Sequence, residues 1–484
     1  MTAVVALGAL LAVAAADGGA VMVVPPEGPG GSSSGWIGSA VAETLPRVLP
    51  RAGVPAVPAS DRRRAQEALG VPSPGATRAT AIRVAESLGV TRLVVGSWEL
   101  HGVDLSLSLR LLDARRGSLS APLVATGPLE GLGRAIHGLA WDVALAGPYP
   151  PAGTRDGLVR AADAVPFAAL RALGEGLAAR DAAARAAGAR RALALHPGYD
   201  EAALVLARLL VEAGNFEEAR AVVARVPPGS PFARDARFLD GVALLGLGRY
   251  READVLYAEL AAREATAAAL GNRGLARLRD SPASGSSTLL RQAVEAAPAS
   301  VDLPFNLGWA LLVEGDADAA AFWLRGAVRR DPGDAQGRLL LSWALAAAER
   351  AEEAEEQWRA AAALVPALGP MRKPDLSRRL ERVLPSEQGL LLDPARSADA
   401  EASRAHAAKG ESLLAIGDRD GAVSELARAA LLDPYATRPH LLLGRAHRLA
   451  GESGKALDEL RMALWCRDDP ALRAEIAELM ARPR

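Results

Sequence analysis

Two asparagines could bind the backbone of an extended peptide. Asn272 and Asn306 take equivalent positions in neighbouring units of a repeated sequence pattern. A side-chain amide both donates and accepts hydrogen bonds, so it can pair with a peptide N–H and C=O whatever side chains the peptide carries. Phe305, Trp309 and Trp343 stand beside them in the pattern and could supply apolar anchors. The alternative is that the asparagines cap or solvate helices while the aromatic rings pack inside the protein.

One short motif matches a hydrolase sequence pattern but lacks the strand that should directly precede it. Residues 31–35 match the G-x-S-x-G pattern of a nucleophile elbow, with Ser33 as the nucleophile. An elbow holds its serine on a tight turn directly after a strand, whereas Ser33 lies in a Pro-Gly-Ser-rich stretch well beyond Val24. We therefore expect a flexible loop. The same loop could offer N–H groups to an anion, but it has no lysine of the phosphate-loop type.

Metal and cofactor chemistry finds little support in the sequence. The six histidines form no H-E-x-x-H or comparable cluster. His406 and His440 also take equivalent positions in neighbouring units of the pattern, and we expect this shared position to be structural. Cys466 is the only cysteine, so the chain cannot form an internal disulfide or a cysteine-based metal site. The sequence thus predicts no catalytic residue, no metal and no cofactor.

A period of about 34 residues, the length of a two-helix repeat, organises the carboxy-terminal two thirds of the chain. Pro298, Pro332 and Pro366 keep this spacing. A unit of this length, with small residues at fixed places and a closing proline, indicates two antiparallel helices that stack on neighbouring units. In residues 301–334 the pattern is clearest, and its positions are Leu307, Gly308, Leu311, Gly315, Asp316, Ala320, Leu324 and Ala327.

This pattern resembles the tetratricopeptide repeat. Eight such units begin at Val165, Asp200, Arg234, Ala267, Val301, Ala335, Ser403 and Thr437. They cover residues 165–366 as units 1–6 and residues 403–470 as units 7 and 8. The resemblance implies a mostly α fold, a right-handed superhelix of stacked hairpins. Residues 471–484 predict a helix that covers the open end of the stack.

The resemblance also implies a groove lined by the first helix of each unit. Asn272 and Asn306 both take the sixth place of their units, which faces the groove in the family. The predicted groove residues further include Arg208, Arg438, Arg445 and Arg448. Converging guanidinium groups suit a carboxylate or an acidic segment, and arginine stems that merely cover a helix are the alternative. The implied function is a non-enzymatic scaffold that binds an extended peptide or a partner protein.

Residues 367–402 lack the repeat pattern. Two prolines near the start of this stretch forbid an unbroken first helix. Residues 375–384 have apolar side chains at helical spacing, so we expect one helix there and an irregular crossing docked on the repeats. A decayed repeat is the alternative, because Pro366 and Pro434 are two periods apart.

Residues 21–148 have a mixed pattern instead of a helical one. Residues 21–25 and 54–57 predict strands, and residues 93–99 and 105–114 alternate like a hairpin. Helices are predicted at 37–48, 61–69, 80–88 and 129–144, which together indicate a small α/β domain with a mixed sheet. The stretch LVVGSWELHGVDLSLSLRLLDARRG resembles the TolB amino-terminal domain. This resemblance implies partner binding in a bacterial envelope, where relatives of that domain occur.

Residues 1–20 have features of a signal peptide. Residues 3–16 are uncharged and apolar, and they are too short to span a bilayer comfortably. Ala14 and Ala16 fit an A-x-A cleavage site, although no Lys or Arg precedes the apolar run. We expect a periplasmic or secreted protein without a membrane span in its mature chain. The alternatives are a buried first helix or a mis-chosen start, and with them a cytoplasmic regulatory module that lacks an output domain.

Overall charge narrows the class of partner. The formal net charge is −1, which provides no field that would attract nucleic acid or an acidic membrane. The expected partner is therefore a protein or peptide, within a larger envelope complex.

Overall fold

The computed structural model describes residues 19–29, 34–69, 78–179, 181–281, 285–297, 300–372, 374–387, 400–433, 436–466 and 470–481. Contacts divide the chain into two compact units. The first comprises Met1–Leu256 and Pro385–Leu390, and the second comprises Tyr257–Leu384 and Leu391–Arg484. Residues 3–16 and Ser33 lie outside the described residues, so the export and nucleophile-elbow interpretations stay predictions.

A small mixed sheet begins the first unit. Its strands are β1 (Val21–Val23), β2 (Arg92–His101), β3 (Asp104–Asp113), β4 (Ser118–Leu119) and β5 (Leu123–Pro128). β1 is parallel to β2, whereas β2, β4 and β5 are each antiparallel to β3. The sheet is accompanied by α1 (Trp36–Val48), α2 (Ala59–Ala68), α3 (Arg78–Ser87) and α4 (Leu132–Ala146). The predicted mixed-sheet domain is thus confirmed.

Every second residue of β3 is a leucine, and these leucines mark the face of the sheet that packs against helices. Leu105, Leu107 and Leu109 are buried in one core with residues of α1 and α4. Successive side chains of a strand point to opposite faces, so every second leucine reaches this core. Gly102 turns the chain between β2 and β3 at a φ of +66°, a left-handed conformation that glycine adopts without steric cost.

The strand predicted at residues 54–57 is wrong. This stretch contributes a single isolated bridge, between Val21 and Ala56. Pro55 and Pro58 surround Ala56, and a proline has no N–H with which to pair. β4 and β5, which the sequence analysis did not predict, extend the sheet along β3 instead.

Helical hairpins follow α5 (Arg155–Ala161). Seven, each a pair of consecutive helices that pack together, occur in the part of the chain that the structure describes, which confirms the predicted mostly α fold of helical repeats. The paired helices are α6 (Phe167–Leu177) and α7 (Ala182–Leu195), α8 (Asp200–Glu212) and α9 (Phe216–Val223), α12 (Ala267–Asp280) and α13 (Ser286–Ala296), α14 (Asp302–Glu314) and α15 (Ala317–Arg330), α16 (Ala335–Ala347) and α17 (Ala351–Leu364), α18 (Ala400–Ala415) and α19 (Arg419–Leu432), and α20 (Thr437–Leu449) and α21 (Ser453–Cys466). Between α9 and α12 the chain forms α10 (Ala233–Gly246) and α11 (Tyr250–Arg263). α22 (Pro470–Ala481) lies where the terminal helix is predicted. None of the helices within the described ranges has the length and apolar character needed to cross a membrane.

Glycine and aspartate define the turn inside a hairpin. Gly315 and Gly417 take the same place in two repeats, with φ of +91° and +84°. The carboxylates of the following residues, Asp316 and Asp418, accept hydrogen bonds from backbone N–H groups three residues ahead, at 3.1 and 3.0 Å. The glycine ends one helix and the aspartate caps the start of the next.

Replacing Glu349 by glycine is expected to raise the free energy of unfolding by about 0.5–1 kcal/mol. Glu349 stands where other repeats have the turn glycine, and its φ is +59°. Its side chain is exposed, so the change relieves backbone strain without removing a packed group. Urea denaturation would measure the difference. The control Glu356→Gly, in the interior of α17, should instead lose about 1 kcal/mol, and a loss for Glu349→Gly would contradict the prediction.

The small residues of the repeat let two helices approach closely, as the spacing predicts. A Cβ atom added to Gly308 would lie 2.5 Å from Leu324 Cγ. The same distance would separate a Cβ on Gly410 from Leu426 Cγ. Both leucines are fully buried, so the first helix of each hairpin has no room for a larger side chain.

We expect Gly308→Ala to lower the free energy of unfolding by about 1–3 kcal/mol, because the added methyl overpacks the hairpin. Gly326 offers a matched control, since it lies inside α15 and a Cβ there would meet no atom within 4 Å. Gly326→Ala should be neutral or stabilising by up to about 1 kcal/mol, because alanine is the better helix former. Equal effects at the two sites, measured by urea denaturation, would refute the packing argument.

The helix predicted at residues 375–384 is wrong. Residues 379–386 belong to no helix and no strand. Pro385 disfavours a helical conformation of Leu384. The backbone of this stretch also finds hydrogen-bond partners on side chains of the repeats, which removes the need for helical hydrogen bonds.

Candidate peptide-binding groove

Three first helices of successive hairpins in the second unit form the candidate site. They are α12, α14 and α16, of which α12 contacts α14 and α14 contacts α16. Residues 374–384, named the internal segment here, lie against them through hydrogen bonds from a side-chain amide on each helix. The site therefore contains an extended chain supplied by the protein itself.

Asn272 binds the backbone of Leu384 with both ends of its amide. Nδ2 donates to Leu384 O at 2.8 Å, and Leu384 N donates to Oδ1 at 2.9 Å. Nδ2 also donates to the Tyr257 hydroxyl at 3.0 Å. The side chain is 0% exposed, so each of these partners matters for a polar group that water does not reach.

Asn306 repeats this arrangement one hairpin later. Nδ2 donates to Arg382 O at 2.7 Å, and Arg382 N donates to Oδ1 at 2.8 Å. On α16, Gln336 Nε2 donates to Leu380 O at 3.3 Å. The three contacted residues alternate along the internal segment, which is the period of an extended chain. The segment runs in the opposite direction to the order of the helices.

The three predicted aromatic anchors are buried. Two of them, Phe305 and Trp343, contact residues in the internal segment or shortly before it. The Arg382 guanidinium lies 3.8 Å from the centroid of the Phe305 ring. Trp343 Nε1 donates to Met371 O at 3.0 Å. Trp309 packs beside Trp343, with ring centroids 6.5 Å apart. Phe305 therefore contacts the internal segment, Trp343 binds the backbone shortly before it, and Trp309 packs against Trp343.

Charged groups on both sides complete the contacts of the internal segment. Arg382 Nη2 lies 2.6 Å from Asp334 Oδ2, and Nη1 lies 3.3 Å from Asp302 Oδ1. Arg279 Nε donates to Glu381 Oε1 at 2.8 Å. Glu381 thus pairs with an arginine of the groove, and the adjacent Arg382 pairs with two aspartates.

Arg208 belongs to a buried ionic cluster of the first unit. It donates to the Ser60 hydroxyl, and its Nη1 lies 3.9 Å from Asp61 Oδ1. Burial raises the pKa of Asp61 to about 6, although Arg208 and Arg64 oppose this shift. Ser386 Oγ also donates to Asp61, at 3.1 Å. The contacts of Arg208 are therefore with Ser60 and Asp61, whereas Asn272 and Asn306 bind the internal segment.

The three arginines predicted in the last repeat have carboxylate partners. Arg445 Nη2 and Arg448 Nη1 converge on Glu475 of α22, at 3.0 and 3.1 Å. Arg438 pairs with Glu411 of α18. The predicted convergence on a carboxylate thus occurs within the chain, and a role of these arginines in ligand binding stays a prediction.

The repeated histidines pair with glutamates. His406 Nδ1 and Glu425 Oε2 are 2.6 Å apart, as are His440 Nδ1 and Glu459 Oε2. Burial opposes ionisation of Glu459, but the hydrogen bond from His440 lowers its pKa. Within the residues that the structure describes, no three His, Cys, Asp or Glu side chains are grouped to hold a metal ion. The pairs join the two helices of a hairpin.

Four polar residues of the groove were not predicted from the sequence. They are Arg279, Asp302, Asp334 and Gln336. Asp302 and Gln336 take the second place of their units, as the predicted groove residue Arg438 does in the unit that begins at Thr437, so a signal for them existed. The internal segment itself had no such signal, because its apolar spacing favours a helix.

Comparison with known proteins supports the repeat assignment. Residues 177–238 match the tetratricopeptide repeat family. No curated protein matches the chain. The matched residues cover α7, α8 and α9 and the start of α10.

Several solved structures are similar to parts of the chain. YrrB, described as a TPR protein with an unusual peptide-binding site, is 22% identical over 37% of this chain and 94% of that chain, with a TM-score of 0.30. MamA from Desulfovibrio magneticus RS-1 is 19% identical over 34% of this chain and 92% of that chain, with a TM-score of 0.31. The APC/C hetero-tetramer Cut9-Hcn1 is 12% identical over 68% of this chain and 60% of that chain, with a TM-score of 0.31.

Proposed function

We propose that this protein is a non-enzymatic scaffold for protein interaction. The proposal starts from the match of residues 177–238 to the tetratricopeptide repeat family and from the helical hairpins that continue beyond them. The binding site of the protein is the groove of α12, α14 and α16. Its ligand is an extended peptide or an extended segment of a partner protein.

The observation that carries this proposal is the pairing of Asn272 and Asn306 with the backbone of alternate residues. Each amide uses a donor and an acceptor on one residue of the segment. Such pairing recognises a main chain in extended form. Both amides are fully buried, so a groove without a bound chain would leave them unsatisfied unless water entered.

A groove whose internal segment has been displaced should bind an added peptide. The triple variant Glu381→Arg, Arg382→Glu and Leu384→Ala alters the internal segment and leaves α12, α14 and α16 intact. The new charges would face Arg279 on one side and Asp302 on the other, and both pairs would repel. We expect a fluorescein-labelled peptide of residues 378–387 to bind this variant with a Kd of about 1–100 μM, measured by fluorescence anisotropy.

The two asparagines provide the decisive control. Adding Asn272→Ala and Asn306→Ala to the triple variant should weaken peptide binding at least about 30-fold, because buried hydrogen bonds to the peptide backbone are lost. Circular dichroism would show that both proteins are folded. Equal affinity with and without the asparagines would rule out backbone recognition in this groove.

We propose further that the mixed-sheet domain is of the TolB amino-terminal type and that the protein acts in a bacterial envelope. The support is the stretch LVVGSWELHGVDLSLSLRLLDARRG together with the apolar residues 3–16. Cell fractionation followed by amino-terminal sequencing tests the location. A cytosolic protein that retains Met1 would favour the regulatory module instead.

A further inference from the structure

We propose that the groove selects a Glu-Arg-x-Leu segment of a partner protein, and that the internal segment occupies the groove until such a partner displaces it. This inference rests on the proposed peptide-binding function. It adds the ligand sequence and a mode of regulation for the same site.

The charged contacts provide the first part of the selectivity. Arg382 meets Asp302 and Asp334, and its guanidinium also lies over the ring of Phe305. A planar guanidinium can satisfy two carboxylates and stack on a ring at once, which a lysine ammonium cannot reproduce. A glutamate in front of this arginine can pair with Arg279, as Glu381 does.

An apolar position provides the second part. Leu384 is 1% exposed. It lies over Gly271, where an added Cβ would be 2.9 Å from Leu384 Cδ1. The absence of a side chain on α12 therefore makes the space that the leucine fills. Val383, between the arginine and the leucine, is 36% exposed, so the groove imposes little on this position.

Covalent attachment makes the internal segment a strong competitor. A segment covalently linked to its own binding site has an effective concentration of about the millimolar range. An external peptide with the same contacts must compete with the internal segment. Its apparent Kd is its intrinsic Kd divided by the fraction of protein molecules whose groove is free. A partner with additional contacts, or one at high local concentration, would displace the segment.

The test compares the wild type with the triple variant of the internal segment. We expect the labelled peptide RRLERVLPSE to bind the triple variant about 10- to 1,000-fold more tightly than the wild type, which is the ratio of a millimolar effective concentration to a Kd of about 1–100 μM. The single variant Arg382→Glu is a milder change that repels Asp302 and Asp334. It should give an intermediate gain and covers the case in which the triple variant does not fold.

Peptide variants test the sequence preference on the same protein. A peptide with the Glu and Arg exchanged, and another with the Leu replaced by Ala, should each bind the triple variant at least about 10-fold more weakly, as expected for anchor contacts. Equal binding of all three peptides would overturn the Glu-Arg-x-Leu preference.

The outcomes separate this inference from the proposed function. Equal affinity of wild type and triple variant for the peptide, with binding still dependent on Asn272 and Asn306, would remove the occlusion and leave the peptide-binding function standing. A folded triple variant that binds no peptide would remove both. A wild-type dimer in light scattering that dissociates in the Arg382→Glu variant would assign the segment to a second copy of the chain and overturn the external partner.

Discussion

Replacing Asn272 by aspartate is expected to lower the free energy of unfolding at pH 7 by about 3–5 kcal/mol, because the change puts a charged group in a buried place that now holds a neutral amide. The amide Nδ2 donates to Leu384 O and to the Tyr257 hydroxyl. An ionised carboxylate of the same shape would place an oxygen against Leu384 O at 2.8 Å, where two acceptors repel. Urea denaturation followed by tryptophan fluorescence would measure the loss.

The pH dependence of the stability of the Asn272→Asp variant separates the effect of the buried charge from the effect of the altered side chain. In the unfolded chain the introduced carboxyl has a pKa of about 3.9. Burial and the facing carbonyl raise its pKa in the folded protein. The loss of stability is therefore present above the raised folded pKa and fades as the pH falls toward the unfolded value, since the protonated carboxyl can donate to Leu384 O.

A matched control is available at Asn215. This residue precedes α9 as its N-cap, is exposed and makes no side-chain capping hydrogen bond. Asn215→Asp should be neutral or slightly stabilising, because a negative charge at the start of a helix is favourable. A loss at Asn272 that is as small as the change at Asn215, or one that does not depend on pH, would contradict the assignment of this hydrogen-bond pair.

Glu43→Gln is expected to lower the free energy of unfolding of the first unit at pH 7 by about 2–3 kcal/mol. Glu43 is buried in α1 and pairs with Arg47 and with Arg63, the latter at 2.6 Å. Burial alone would raise the pKa of Glu43, but Arg63 and Arg47 outweigh it and lower the pKa to about 2. The difference between wild type and variant should therefore disappear as the pH falls from 4.5 through 2, where the carboxylate accepts a proton.

The exposed pair of Arg171 and Glu175 provides the control for this prediction. It has the same residue types four apart, with side chains 54% and 37% exposed. Glu175→Gln should cost less than about 0.5 kcal/mol, because water screens an exposed ion pair. Similar losses at Glu43 and Glu175 would show that burial does not control the strength of these pairs.

Whether an element could be predicted from the sequence depends on how far apart in the chain the residues that stabilise it lie. The hairpins follow from local spacing, since Gly308 and Leu324 are close in sequence and meet within one repeat unit. The same is true of β2 and β3, which are joined by a short turn at Gly102. Residues 54–57 failed as a strand because local prolines outweigh their apolar character.

The candidate site was predicted in part. Asn272 and Asn306 were identified because they keep the repeat period and carry an amide, and they do bind the backbone of an extended chain. The identity of that chain was missed. The apolar spacing of residues 375–384 favours a helix locally. Only the hydrogen bonds of residues 380–384 with helices far away in the sequence select a non-helical backbone.

By itself, the sequence determined the helical hairpins, the small mixed sheet before them and the positions of the two asparagines. These depend on periodic burial and on steric limits at glycine and proline, which act over a few tens of residues. Only the tertiary structure decided that Leu384 and Arg382 meet those asparagines. Their separations of 112 and 76 residues leave no periodic signal in the chain, because hydrogen bonds to a backbone do not depend on the side chains of the bound segment.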